Sequence, residues 1–204
     1  MEVIMKKSNF FSAKNVATLA ILLAFVIVLQ AFGGSINIGI VTLNFTLIPL
    51  VLGAIVLGRW AGAFLGFASG VVVLIQVILA PSGFYYLIWT NSPIVTTLIC
   101  LVKTTVAGFI AGVIFDILKK KNVYLAIFVA SGLVPVINTA LFILGCLCMW
   151  DTIALMAAGT NVFVFILVSL VTFNFFFEFA INLLVAPGLH TVYKVVEKQF
   201  MKRR

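Results

Sequence analysis

Lys103 and Glu178 are the residues with the clearest capacity for chemistry, because each is an ionisable side chain set inside a long apolar run. Lys103 follows Pro93 by about ten residues, or about 15 Å along a helix, and Glu178 precedes His190 by about twelve, or about 18 Å. Both depths lie near the middle of a hydrocarbon core about 30 Å thick. A charge placed there costs about 2.5–3.5 kcal/mol on insertion scales, so a functional site is the default expectation. Two opposite charges at one depth suit either a structural ion pair or the lining of a pocket for a polar ligand. Asn174, Glu178 and Asn182 recur at every fourth position and form one polar stripe, which should face the interior of a bundle. Asn138, just after Pro135, and Gln76 could complete that lining or simply bond a neighbouring backbone.

The segment from Ala80 to Pro93 combines turn formers with Tyr85, Tyr86 and Trp89 and ends in Asn91-Ser92-Pro93. It reads as a loop that closes over the polar residues, with Tyr85, Trp89 and Asn91 as candidate ligand contacts; an interfacial aromatic belt is the equal alternative. Ser92 before Pro93 is a good helix start, serine at the N-cap and proline at the first helical position. Chemistry of other kinds is not expected. GxxxxGK[ST], HExxH and GxSxG are missing, and the single histidine, His190, falls at a helix end, as an interfacial residue would. The chain therefore reads as a non-enzyme with no catalytic residues, no metal site and no cofactor; ATP use would come from another subunit. Cys100, Cys146 and Cys148 lie in or beside apolar segments with no CxxC pair, which is the pattern of packing cysteines.

These residues need elements to hold them, and the composition says which. The 204 residues are 64% hydrophobic and 9% charged, against about 25% charged in a soluble domain. The expected fold is an all-α, polytopic membrane protein, one domain over residues 1–204. Its helices should cover about 15–32, 44–58, 60–80, 93–118, 123–148 and 160–190. The second is short and carries Pro49, which predicts a kink or tilt. The basic start followed by an apolar run to Phe32, without a small-residue cleavage site, reads as a first membrane span rather than a removed signal peptide.

Orientation follows from the basic residues. Lys6, Lys7, Lys14, Arg59, Lys119 to Lys121, Lys194, Lys198, Lys202, Arg203 and Arg204 all fall on one side of a six-helix bundle, while the opposite connections carry no Lys or Arg. The positive-inside rule puts both termini in the cytoplasm of a cell-membrane protein. The net charge of +8 then points to anionic headgroups of the lipid bilayer, not to nucleic acid. Small residues mark two kinds of face. Gly58, Gly62, Gly66 and Gly70, with Gly108 and Gly112 on the next helix, read as internal packing. Ala13, Ala17, Ala20 and Ala24 on the first helix fit an internal contact or a partner protein equally well.

The whole chain resembles a family, the substrate-binding S components of energy-coupling factor vitamin transporters. The likeness rests on Ala20-Ile-Leu-Leu-Ala24, on Ile48-Pro49 through Gly53-Ala54, Leu57-Gly58-Arg59 and Gly62-Ala63, and on Asn174-xxx-Glu178-xxx-Asn182. The central stretch is similar to IPxxxGAxxLGPxxGA, with Arg59 where proline is common. The resemblance implies a six-helix fold that binds a vitamin from outside and topples to release it inwards. It also implies a membrane coupling subunit and two cytoplasmic ATPase subunits as partners, with Ala20 and Ala24 facing the coupling subunit. The segment Thr90-Asn-Ser-Pro-Ile-Val95 looks most like the pantothenate branch; folate, riboflavin and a pyridoxine- or pyrimidine-type ligand remain open. Against such a ligand Lys103 would neutralise a carboxylate while Glu178 and Asn174 accept and donate at its polar end. A stand-alone proton-coupled carrier using Glu178 and Lys103, or a subunit with only a structural role, are the competing readings.

Overall fold

The computed structural model describes residues 12–33, 37–38, 41–42, 44–79 and 83–201. Helix dominates them, as it must where lipid offers backbone groups no hydrogen bonds. The order is α1 (Ala13–Gly33), a minimal hairpin of β1 (Asn37–Ile38) and β2 (Val41–Thr42), α2 (Leu47–Leu57), α3 (Arg59–Leu79), α4 (Gly83–Asn91), α5 (Pro93–Leu118), α6 (Val123–Cys148) and α7 (Trp150–Ala157). The last helix begins as α8 (Val162–Val164), widens into a π-helical turn over Phe165–Val171 and continues as α9 (Thr172–Met201). In the antiparallel hairpin Asn37 pairs with Thr42 and Ile38 with Val41.

Five of these helices, α1, α3, α5, α6 and the continuous last helix, are long and apolar enough to cross a membrane. The expected second span is the exception. Its helix, α2, has 11 residues, about 16 Å of rise and so about half a hydrocarbon core. Pro49 occupies its first turn, where backbone N–H groups have no intrahelical partner, so the expected kink does not arise. Gly58 ends it at φ 99°, a left-handed conformation that favours glycine.

Two of the three connections opposite the basic end, those after α3 and α6, are helical where loops are expected. Residues Gly83–Asn91 form α4, so the presumed lid is a short helix whose Phe84 and Ile88 are buried. The connection after Met149 likewise contains α7, with Thr152, Ile153 and Ala157 buried. Ser92 does precede α5, but its side chain makes no cap bond; instead Thr96 Oγ1 donates to the carbonyls of Ser92 and Ile88 at 2.8 and 2.9 Å, tying α4 to α5.

Close backbone packing sets the arrangement. A Cβ placed on Gly62, Gly66 or Gly70 would meet the carbonyl oxygens of Gly108, Thr104 and Cys100 at 2.5, 2.2 and 2.3 Å, and one on Gly112 would meet Arg59. The glycine stripe therefore packs α3 antiparallel on α5, as internal packing requires; Gly58 stands apart from it as the turn before α3. Gly145 against Ile99 joins α5 to α6, and Gly132 beside Leu183 and Phe179 joins α6 to α9. Short α2 is enclosed, its Leu47, Leu50, Val51 and Ala54 packed with Ala107, Ala111, Phe115, Ile127 and Leu189.

α1 and α3 run parallel: Leu22 and Val26 pack on Leu65, and Gln30 near the end of α1 bonds Gln76 near the end of α3. With Tyr193 against Phe115 and Tyr124 against His190, these contacts bring Lys14, Arg59, Lys119 to Lys121, Lys194 and Lys198 to one end of the bundle. Lys6, Lys7, Lys202, Arg203 and Arg204 lie outside the described residues. Cys100 and Cys146 are buried and Cys148 is exposed, all three as free thiols.

Candidate functional site

Helices α1, α3, α4, α5, α6 and the last helix, with Asn44 before α2, line one cavity that is partly open to its surroundings. Its walls are Gln30 from α1, Asn44 before α2, Val73 from α3, Tyr85 from α4 and Lys103 from α5. Asn138, Thr139 and Phe142 of α6 face Leu170, Val171, Asn174, Phe175 and Glu178 of the last helix across it. Lys103 and Glu178 thus share one cavity, and no ion pair joins them among the described residues, where Lys119 and Asp116 form the ion pair seen. The Lys103 Nζ lies 5.4 Å from the centre of the Phe142 ring, a cation–π contact that leaves the ammonium's hydrogens available for an anion.

Glu178 is held from outside its own helix. The backbone N–H of Asn44 donates to its Oε1 at 2.9 Å. Asn44 Oδ1 in turn accepts from the N–H of Thr46 at 3.2 Å and from its hydroxyl, and that hydroxyl is 2.7 Å from Ser69 Oγ on α3. The irregular chain entering α2 therefore anchors the acid. Irregular backbone at such a place is tolerated where protein surrounds it or it lines a cavity.

The asparagine stripe is real, and its two amides bond locally. Asn182 Nδ2 donates to the Glu178 carbonyl at 2.8 Å and Asn174 Nδ2 to the Leu170 carbonyl at 3.4 Å. The oxygens of Asn174 and Asn138, both on the cavity, and of Asn182 are buried with no partner. The Leu170 carbonyl thus orients the Asn174 amide, leaving its oxygen as an unpartnered acceptor and its second N–H as a further donor. Leu170, whose carbonyl takes the Asn174 amide, lies in the π-helical turn; wide turns of this kind are frequent at functional sites.

Of the sequence candidates, Lys103, Glu178, Asn174, Asn138 and Tyr85 come together on the cavity. Gln76 does not line it; it bonds Gln30, which does. Trp89 is half-buried against Val73, Val77 and Cys100 between α3 and α5. Asn91 is exposed, its Nδ2 donating to the Leu87 carbonyl at 2.8 Å. Both belong to the helix that forms where a loop is expected: one turn after Tyr85, Trp89 packs with it against α3 and α5 without lining the cavity, and Asn91 lies on the exposed side. Gln30 is the omission with a legible signal: Leu22, Val26 and Gln30 form the buried stripe of α1, and a glutamine ending such a stripe marks a polar interior. Asn44 contributes to Glu178 through its backbone, which no side-chain pattern reveals.

Ala13, Ala17, Ala20 and Ala24 are all exposed, beside exposed Ile21 and Phe25. The alanine face is therefore left uncovered by the described residues. None of the curated proteins matches this sequence. The family model for the ECF transporter substrate-specific component matches residues 14–190, nearly the whole bundle and every residue on the cavity. A membrane bundle of apolar helices around one charged, amide-lined cavity is what a transport subunit that binds a small molecule requires, and the chain belongs to the ECF transporter substrate-specific component family.

Proposed function

We propose that this protein captures a vitamin, pantothenate as the best candidate, from outside the cell and releases it inwards with a membrane coupling subunit and two cytoplasmic ATPase subunits. The observation that carries this reading is that Lys103 and Glu178 line one cavity together with Asn138 and Asn174, whose buried amide oxygens have no partner. Pantothenate has a carboxylate for the Lys103 ammonium, and two hydroxyls and an amide N–H for acceptors. Tyr85 on α4 supplies an aromatic wall on the side away from the basic end.

The chain crosses the membrane six times, with both termini in the cytoplasm. Parallel α1 and α3 support this count, because the chain between Gly33 and Arg59 has to return across the thickness they span, and α2 lies on that return. The gathering of Lys and Arg at one end supports the orientation. The exposed alanine face at Ala20 and Ala24 supports docking of the coupling subunit, since small side chains let two helices approach closely.

Mass spectrometry of the purified subunit tests the assignment directly. Pantothenate should be retained, and its removal and re-addition should change the fluorescence of Trp89, which packs beside Tyr85. Retention of a flat-ring vitamin instead, with no response to pantothenate, overturns the assignment of substrate. Uptake that continues without ATPase subunits and collapses with the proton gradient would replace the whole reading with a proton-coupled carrier working through Glu178.

A further inference from the structure

Gln30 and Gln76 form a two-membered relay whose chemistry has one consistent arrangement. Gln76 Nε2 donates to the backbone carbonyl of Gln30 at 3.2 Å. A carbonyl can only accept, so the Gln76 amide is fixed with its nitrogen on that side. Its Oε1 then points to the Gln30 side chain and accepts from Gln30 Nε2 at 3.3 Å. Turning either amide over would set oxygen against oxygen. What is left over is Gln30 Oε1, buried without a partner, on a side chain that is 4% exposed and belongs to a residue lining the cavity.

The same logic applies to Asn174. One N–H of its amide donates to the Leu170 carbonyl, which fixes the amide's orientation and leaves its oxygen an unpartnered acceptor. Gln30 and Asn174 stand on different helices of one cavity, α1 and α9, and each is fixed by a backbone carbonyl, one directly and one through Gln76. A buried acceptor left unpaired is costly, so the cavity favours a ligand that brings hydrogen-bond donors to both.

We infer that Gln76 is a specificity-determining positioning residue: by holding the Gln30 amide with its oxygen toward the cavity, it makes the site select ligands carrying hydroxyl or N–H donors over isosteric ligands that lack them. This deepens the proposed function, on which it rests for a small polar ligand, but the relay is a property of the empty protein. Gln76 touches no ligand itself. A ligand presenting only acceptors to the α1 side would meet like partial charges there.

Two measurements test it. In the purified subunit without ligand, side-chain amide hydrogen exchange at Gln30, read by nuclear magnetic resonance, should be slow in the wild type and at least tenfold faster in Gln76→Leu. Equal rates overturn the relay. In the binding arm the probes are pantothenate and its analogue with both hydroxyls replaced by hydrogen. The wild type should prefer pantothenate by at least about tenfold, since an unpaired buried acceptor is penalised on that scale. Gln76→Leu should narrow the preference to within threefold while keeping its affinity for the analogue, a pattern that general loss of packing would not give. Gln76→Asn, too short to reach the Gln30 carbonyl and side chain together, should behave like Gln76→Leu. An unchanged preference in Gln76→Leu, or a wild type indifferent to the hydroxyls, overturns the inference. Protected exchange with no binding of either compound would uphold the relay and remove pantothenate as the ligand, separating the two claims.

Discussion

At the scale of single residues the cavity is a set of obligations. Lys103 is a cation with an aromatic ring on one side and no acid joined to it among the described residues, and the proposed role gives it the carboxylate of an anionic ligand. Lys103→Met keeps much of the stem volume and removes the charge. Affinity for an anionic vitamin should fall by about 30-fold or more, in line with the 2–5 kcal/mol typical of truncating one partner of a buried charged pair; a titration that finds affinity unchanged removes this role from Lys103. Asn91→Ala is the contrasting case. Asn91 bonds the Leu87 carbonyl at the exposed end of α4, and its loss should leave affinity within about twofold, as exposed substitutions usually do. A large effect there would mean that α4 positions Tyr85 through its C-terminal turn. Residue types and depth made Lys103, Glu178 and Asn174 legible in the sequence, because ionisable and amide groups in apolar helices have few places to go. Hydrogen-bond direction was not legible. Whether Asn174 offers nitrogen or oxygen depends on the Leu170 carbonyl, and whether Gln76 touches the ligand depends on which way α1 turns Gln30.

Among the elements, the long helices were readable from their apolar runs: α1, α3, α5 and α6 begin and end within about two residues of expectation, whereas the last helix continues to Met201 where an end near 190 is expected. The short ones were not. Pro81, Ser82 and Gly83 signal a turn, and the aromatic run after them favours extended chain over helix, so α4 forms from its burial of Phe84 and Ile88 and not from propensity. α2 was read a few residues too long because apolar composition alone does not distinguish a full span from a helix buried on all sides. The α3–α5 pair was the most legible contact, since glycines at every fourth position have one economical use. It carries a prediction at this scale. Gly66→Ala would put a methyl 2.2 Å from the Thr104 carbonyl oxygen, forcing the two helices apart at a cost of about 1–3 kcal/mol typical of overpacking. A thermal unfolding curve in detergent should show a clear drop in the midpoint. Gly188→Ala, in α9 with nothing within 4 Å of the added carbon, should be neutral or stabilising by about 0.5–1 kcal/mol through helix propensity. A reversed order of the two variants would mean that α3 and α5 are not in backbone contact.

For the whole molecule, function requires two faces that do not interfere. The cavity draws on α1 only through Gln30, near its far end, whereas Ala13, Ala17, Ala20 and Ala24 line an exposed side of the same helix. Leu22, Val26 and Gln30 hold α1 on the bundle from the opposite side, so bulk added to the alanine face reaches no internal neighbour. Ala20→Leu combined with Ala24→Leu should therefore leave the subunit folded and its ligand affinity within about twofold, since outward-facing changes seldom exceed 0.5 kcal/mol each. The same pair removes the close approach on which small-residue helix packing depends. Uptake in cells that supply the coupling and ATPase subunits should fall at least tenfold, and the complex recovered by affinity purification should fall with it. Uptake that survives the double substitution would move the docking surface elsewhere, whereas a loss of ligand affinity alongside uptake would mean that α1 transmits strain from its alanine face to Gln30. Separation of the two activities is the expected result, because the alanines lie on the exposed side of α1 and Gln30 on its buried side.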